Sequence, residues 1–158
     1  MSDTKRPPLL DLEAIPQQRR CGYPEPFASR IGDRVKQKLA EAAELSQFGV
    51  NLVTLGPGGQ SALRHWHTHE DEFVYVLEGE LVLVSNAGEQ PMRAGDCAGY
   101  PAGVADGHHL INRSNAPARY LEIGSRHPAD LAAYPDDDLV HVRTRQGIRQ
   151  ERRDGSAY

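Results

Sequence analysis

One stretch of the chain, residues 59–79, decides both the expected fold and the candidate site; it has the sequence GQSALRHWHTHEDEFVYVLEG. Side chains alternate between the two faces of an extended strand, so we expect His65 and His67 on one face together with Leu63. A short polar connection, THED, follows them, and the β-branched and aromatic run that begins at Glu72 predicts a second strand. Glu72 can then face the two histidines across the turn. Two imidazoles and a carboxylate on adjacent strands suit a borderline divalent metal ion.

The spacing within this stretch matches a longer pattern. The chain carries Gly59-x5-His65-x-His67-x4-Glu72-x6-Gly79 without a gap, and this pattern resembles the first sequence motif of the cupin superfamily. That motif is long and mixed in composition, so we do not expect a chance match. The resemblance implies an all-β fold, namely a cupin-type double-stranded β-helix (jelly-roll) barrel that holds one metal ion.

A second cupin motif should follow a few strands later and supply one more histidine. Gly95-x5-Pro101-x-Gly103 matches its first half, and a two-residue insertion in the next turn moves the histidine to His108. Asn112 then falls at the expected spacing, where the family pattern favours a role in supporting the fold. The resemblance implies a metal site with three histidines and one glutamate: His65, His67, Glu72 and His108.

Two further histidines compete with these predicted ligands. His69 forms another His-x-His pair with His67, but it would leave only two residues before Glu72, so we expect it at the rim of the cavity. His109 follows His108 directly, and strand alternation places it on the opposite face, as a packing or interface residue. Three imidazoles and one carboxylate suit zinc, nickel, manganese or ferrous iron, and the general affinity order does not select among them.

Length and composition limit the remaining possibilities. A chain of 158 residues is long enough for one domain with its own core, and its 15 glycines and 11 prolines predict many turns. A net charge of −4 and the lack of a long apolar run indicate neither nucleic acid nor a membrane as partner. The first residues lack the pattern of a signal peptide, so we expect a cytoplasmic protein in which Cys21 and Cys97 stay reduced.

Three segments are expected along the chain. Residues 1–45 form an N-terminal arm that is rich in proline and ends in an edge strand and a helical turn. On that strand Lys36 and Lys38 share one face. Residues 46–126 form the barrel, because turns recur roughly every 8 to 12 residues there. Residues 127–158 form a polar C-terminal extension that packs on the barrel, or at its end across a partner subunit, and its histidines are given no functional role.

The stretches FGVNLVTLGPGG, RHWHTHEDEFVYVLEGE and GHHLINRS look like small single-domain bacterial cupins that are described as sugar-phosphate isomerases. We therefore expect a metal-dependent enzyme that acts on a small oxygenated metabolite, with isomerisation of a sugar or sugar phosphate as the leading hypothesis. The alternatives are a ferrous-iron dioxygenase and a non-catalytic small-ligand binding protein, because one fold serves many functions. No glycine-rich phosphate loop is visible, and alternation turns Arg64 away from the ligands. Apolar residues on the outer strand faces, and the pairing common among cupins, predict a homodimer.

Overall fold

The computed structural model describes residues 8–158, so the first seven residues of the predicted N-terminal arm lie outside it. Within the described residues the chain forms twelve β-strands and one short α-helix, which confirms the predicted all-β jelly-roll class. Single 3-10 turns occur at Leu12–Ala14 and Ala28–Arg30. The elements are β1 (Arg34–Lys38), α1 (Leu39–Ala42), β2 (Phe48–Leu55), β3 (Trp66–His67), β4 (Glu72–Glu78), β5 (Glu80–Ser85), β6 (Gly88–Arg93), β7 (Cys97–Tyr100), β8 (His109–Ile111), β9 (Ala118–Ser125), β10 (Leu131–Ala133), β11 (Val140–Thr144) and β12 (Gly147–Glu151).

The barrel core lies between two antiparallel sheets. One has five strands in the order β1-β2-β9-β4-β7, and the other has three in the order β6-β5-β8. Because side chains alternate along each strand, one face of each sheet is turned inward, and its apolar residues form the core. The buried residues of this core are Val53, Leu55, Val74, Val76, Leu81, Leu83, Met92, Leu110, Ala118 and Tyr120. Full burial of an aliphatic or aromatic side chain of this size contributes about 1.5–3 kcal/mol.

A third sheet is made by the C-terminal strands. Its order is β12-β11-β10-β3, so β10 pairs with β3, the strand that carries His67, and Ala132 lies opposite His67. A second core forms beneath this sheet, and its buried residues are Phe27, Ile31, Leu63, Ala132, Tyr134 and Leu139. The C-terminal segment therefore closes one end of the barrel beside the predicted site.

The segment before the barrel forms the expected edge strand and helical turn. β1 lies at the edge of the five-stranded sheet and α1 follows it directly. The arm adds to this edge, because Gln18 pairs with Lys36 in an isolated antiparallel bridge. The lysine face of β1 is turned toward a cavity rather than only toward solvent, and Arg34, Lys36 and Lys38 all line that cavity.

Two smaller predictions also have outcomes. Cys21 and Cys97 are both free thiols. Among residues 8–158, no helix is both long enough and apolar enough to cross a lipid bilayer.

Candidate metal centre

Strand pairing brings the four predicted ligands to one place. His65 forms a bridge with His108, His67 lies on β3, and Glu72 is the first residue of β4. The Oε2 atom of Glu72 lies 2.8 Å from Nε2 of His108 and 3.5 Å from Nε2 of His65. Its Oε1 atom lies 3.5 Å from Nε2 of His67. Three imidazoles thus present the same ring nitrogen to one carboxylate.

The predicted strand through Leu63 is shorter than expected. Only Trp66–His67 is a strand, and residues 61–64 form bends. The physical reason is that the Ser61 hydroxyl accepts the hydrogen bond of the Leu110 amide, at 2.8 Å, in place of a backbone carbonyl of a regular ladder. His65 and His67 still point into the same site, because the bend ends before them.

The opposite ring nitrogens of the three histidines are all held by protein acceptors. In both His65 and His108, Nδ1 donates to the carbonyl two residues earlier in the chain, at 2.7 Å and 2.9 Å. In His67, Nδ1 lies 2.6 Å from Oδ2 of Asp130 and donates to it. These bonds keep a proton on Nδ1, so Nε2, which faces Glu72, is the nitrogen that a metal ion would take, and this is the tautomer that a ligand needs. The donor set therefore fits a divalent cation.

Asp130 is a site residue that the sequence analysis missed. It is buried, and its Oδ1 atom accepts hydrogen bonds from the amides of His69 and Glu70 at 3.0 Å and 3.2 Å. The Glu70 carboxylate is itself buried, and it pairs with Arg143 at 2.9 Å. Local sequence contains no signal for Asp130, because it reaches His67 only through the pairing of β10 with β3.

The electrostatics of the site pair His67 with its neighbouring carboxylates. Burial lowers the pKa of His67, but hydrogen bonds to Asp130 and Glu72 outweigh it and raise the pKa to about 10. Burial likewise raises the pKa of Glu72, yet its hydrogen bonds to the three histidines bring it well below the usual value. A bound cation would take the place of the imidazolium charge, because ligating imidazoles must be deprotonated.

The distances between ligand atoms set His108 apart from the other three predicted ligands. The ligand atoms of His65, His67 and Glu72 all lie within 4.8 Å of one another. His108 is not part of this mutual group and reaches it through its contact with Glu72. A second cluster with mutual distances under 4.8 Å contains His67, Glu70 and Asp130, but Asp130 approaches the Nδ1 side of the ring. The second cluster therefore holds the His67 ring in place from its Nδ1 side.

His69, which was predicted at the rim of the cavity, contacts Thr68 and His127. Its Nδ1 atom lies 2.8 Å from the Thr68 hydroxyl, and its ring stacks on His127 with centroids 4.8 Å apart. The Nδ1 atom of His109, which was predicted on the face opposite to His108, donates to the Ala62 carbonyl at 2.9 Å. Neither ring belongs to the group of mutually close ligand atoms.

Tyr100 and Asn112 fix the surroundings of His108. The Tyr100 ring stacks on the His108 imidazole with centroids 3.5 Å apart and parallel planes. Asn112 is fully buried, and its amide nitrogen donates to the carbonyls of Leu55 and Ala116, each at 2.8 Å. The predicted supporting role of Asn112 is therefore confirmed.

Gly79, which closes the first motif, has a structural role. Its φ of +79° lies in the left-handed region, and an added Cβ would lie 2.9 Å from Ala118. The glycine therefore permits the tight turn from β4 to β5, which places β5 against the other sheet.

A cavity of about 530 Å³ opens beside the candidate site. His65, His67 and Glu72 form part of its wall, together with Asp130, which was described above. His141, one of the C-terminal histidines that were given no functional role, also lines this cavity. Its Nδ1 atom lies 3.0 Å from the Tyr134 hydroxyl, and burial lowers its pKa to about 4, so the ring is neutral at neutral pH. The volume is in the range of small-molecule sites.

Fold and site together define a small β-barrel with a histidine and carboxylate cluster in the wall of a cavity. The family model for the cupin domain matches residues 51–124. A crystal structure of a sugar phosphate isomerase of the cupin superfamily from Silicibacter pomeroyi is 46% identical, with 96% of each chain covered and a TM-score of 0.92. The chain belongs to the cupin superfamily.

Two other relatives are more distant. A candidate sugar phosphate isomerase from Acidithiobacillus ferrooxidans is 28% identical, with 80% of this chain and 81% of that chain covered and a TM-score of 0.72. The tetracenomycin polyketide synthase protein TcmJ from Streptomyces glaucescens is 33% identical over 69 residues, which is 44% of each protein. The match therefore spans less than half the length of that curated relative.

Proposed function

We propose that this cupin is a metal-dependent isomerase of a sugar or sugar phosphate, and that the four predicted ligands hold one divalent metal ion. The observation that carries the proposal is the convergence of three imidazole Nε2 atoms on the Glu72 carboxylate at the wall of a large cavity. The 46% identical sugar phosphate isomerase from Silicibacter pomeroyi supports the same reaction class.

The protein would supply a fixed set of donors around the ion. When bound, such an ion polarises a carbonyl oxygen of the substrate as a Lewis acid. Asp130 holds His67 in the required tautomer, and the Tyr100 ring fixes the plane of His108. The Glu72 carboxylate, which is held ionised by its three histidine neighbours, is available as a ligand across the neutral pH range.

Glu122 is our candidate for the group that moves the proton between neighbouring substrate carbons. It lies on β9 and lines the same cavity as Glu72. Lys36 and Asn51 donate to its Oε1 atom at 2.7 Å and 2.9 Å. Its Oε2 atom has only a long contact, 3.5 Å, with the Tyr120 hydroxyl among residues 8–158. Burial raises the pKa of Glu122, but the Lys36 charge outweighs burial and lowers the pKa overall. The carboxylate is therefore ionised at neutral pH and can accept a proton.

The lining of the cavity favours an oxygen-rich substrate. Three buried nitrogen atoms in its wall have no hydrogen-bond partner among residues 8–158: Arg34 Nε, His141 Nε2 and Arg143 Nε. Buried polar groups without a partner are rare in folded proteins, because each one carries a desolvation penalty. Oxygen atoms of a sugar or sugar phosphate would satisfy these donors.

Isomerisation can be tested by proton NMR in deuterated water. The protein, loaded in turn with zinc, nickel, manganese or ferrous iron, is incubated with a panel of aldoses and aldose phosphates. We expect one substrate to give its ketose with deuterium incorporated next to the carbonyl carbon, because the transferred proton exchanges with solvent at the carboxylate. The Glu122→Gln variant should lose this incorporation and keep its metal ion.

The result that would overturn the isomerase proposal is an absence of both ketose and deuterium incorporation with every metal and sugar of the panel. Oxygen consumption that depends on iron would instead indicate the dioxygenase hypothesis. Saturable binding of a sugar without any exchange would indicate a binding protein.

A further inference from the structure

Arg34 has a buried charge without a counter-ion in the described part of the chain. The residue is 8% exposed, and its Nη1 atom donates to the Ser61 carbonyl at 2.6 Å. Its Nε atom is buried and has no hydrogen-bond partner among residues 8–158. An arginine side chain stays protonated in proteins, so burial cannot neutralise it as it can a lysine or a histidine. A buried and unpaired cation is costly, which makes Arg34 an unexplained feature of the fold.

The other basic residues on the same face of β1 are neutralised by carboxylates. Lys36 pairs with Glu122 at 2.7 Å, and Lys38 pairs with Glu41 at 3.0 Å. Arg34 is the most buried of the three basic residues and is the one that lacks such a partner among residues 8–158. The protein thus leaves its most desolvated cation on this strand available to something else.

The Arg34 side chain lines the cavity that contains the candidate site. The same wall includes His65, His67 and Glu72, and the cavity volume of about 530 Å³ can hold a molecule of several carbon atoms. The lining has six arginine and lysine side chains against four carboxylates. The six are Arg20, Arg34, Lys36, Lys38, Arg126 and Arg143. The excess of basic groups favours an anion in this cavity.

We propose that Arg34 binds an anionic group of the substrate, a phosphoryl or carboxylate oxyanion, at the end of the cavity formed by β1. The planar guanidinium matches such an oxyanion with two parallel hydrogen bonds, and a desolvated site strengthens them. The inference rests on the proposed function for the opposite end of the substrate, which would lie at the histidine cluster. It makes Arg34 a specificity-determining residue that selects charged over neutral sugars.

Direct binding of inorganic phosphate and of acetate to the full-length chain, measured by isothermal titration calorimetry, tests this proposal. The protein is measured after chelation and dialysis, so that coordination of the anion to a metal ion does not contribute, and again after metal loading. Phosphate binding without acetate binding would indicate a phosphorylated substrate, and the reverse would indicate a carboxylate. Arg34→Met removes the charge, and Arg34→Lys keeps the charge but not the planar guanidinium that can make two parallel hydrogen bonds. Arg93→Met is the control on an exposed arginine of β6.

We expect Arg34→Met to weaken binding of the preferred anion by roughly ten- to a hundredfold, because charge-assisted hydrogen bonds are lost. Arg34→Lys should bind it with intermediate affinity, and the control should match the wild type. In anion-free buffer Arg34→Met should be at least as thermally stable as the wild type, because an unpaired buried charge is removed. A large loss of stability would reveal a structural role and overturn the proposal.

Equal anion affinity in the wild type and both Arg34 variants, or binding of neither anion by the wild type, would also overturn it. These outcomes are independent of the isomerase proposal. Anion binding that depends on Arg34 in a protein that isomerises no sugar would support this subsite and reject the isomerase. Isomerisation of a sugar phosphate that is unaffected by Arg34→Met would support the isomerase and reject the Arg34 subsite.

Discussion

Replacing Asp130 by Asn should release the metal ion without changing the shape of the site. Asp130 is 4% exposed and accepts three hydrogen bonds. The Asn side chain can keep its oxygen toward the amides of His69 and Glu70, but its NH₂ group then faces Nδ1 of His67. To accept that hydrogen bond, Nδ1 must lose its proton, which moves to Nε2 and blocks the lone pair that would bind metal.

The expected size of the effect follows from this single contact. Loss of a hydrogen-bond partner behind a metal-binding histidine lowers metal affinity by about 10- to 100-fold, equivalent to ~1.4–2.8 kcal/mol. The loss of a charge-assisted hydrogen bond should also lower the free energy of unfolding by about 1.5–3 kcal/mol. The measurement is a competition titration of each metal against a chromophoric chelator, with wild type and variant compared at the same pH.

Asp136→Asn is the matched control for this experiment. Asp136 pairs with Arg64 at 2.7 Å on the outer side of the barrel, with half of its side chain exposed, and it does not line the cavity. Its variant should keep the metal affinity of the wild type. If Asp130→Asn also kept that affinity, the inference that Asp130 sets the tautomer of a ligand would be refuted.

Two further predictions concern stability. Asn112→Ala leaves the Leu55 carbonyl without its donor in the core, and it should lower the free energy of unfolding by about 2–4 kcal/mol in chemical denaturation. The control Asn86→Ala, on an exposed turn, should lower the free energy of unfolding far less. Equal losses in the two variants would contradict the supporting role of Asn112. In the metal-free protein burial lowers the pKa of His67, but its hydrogen bonds to carboxylates such as Glu72 outweigh burial and raise the pKa to about 10. The contribution of His67 to stability is therefore complete below about pH 6.5 and is lost as the pH rises toward about 10. The thermal midpoint should fall over that range by about 2–4 °C per kcal/mol, and a rising midpoint would contradict the assignment.

The local parts of the fold and the site could be predicted from sequence because they depend on short-range geometry. Strand alternation assigned different surroundings to His108 and His109, whose rings contact Glu72 and the Ala62 carbonyl respectively. It also turned Arg64 away from the ligands, where it pairs with Asp136. The glycine and proline turns bounded most of the barrel strands. These features require only the backbone periodicity and the hydrophobic pattern of neighbouring residues.

The remaining features depend on contacts between distant segments. Alternation divides β1 into two faces but does not say which face is covered, so the cavity-lining role of Lys36 and Lys38 was missed. Asp130 directly precedes β10 and His141 lies on β11, and they reach the site only because β11 pairs with β10 and β10 pairs with β3. The strand through Leu63 was predicted too long, because a serine side chain replaced a ladder hydrogen bond there.

The most direct test of the account is elemental analysis of the untagged protein and of its Glu72→Gln variant, each purified and then reconstituted with zinc, nickel, manganese and ferrous iron. We expect about one metal ion per wild-type chain and a large loss in the variant, because an amide replaces the carboxylate on which three histidines converge. Wild-type protein that binds none of these metals, or a variant that retains the full amount, would contradict the assignment of this cluster as a metal centre.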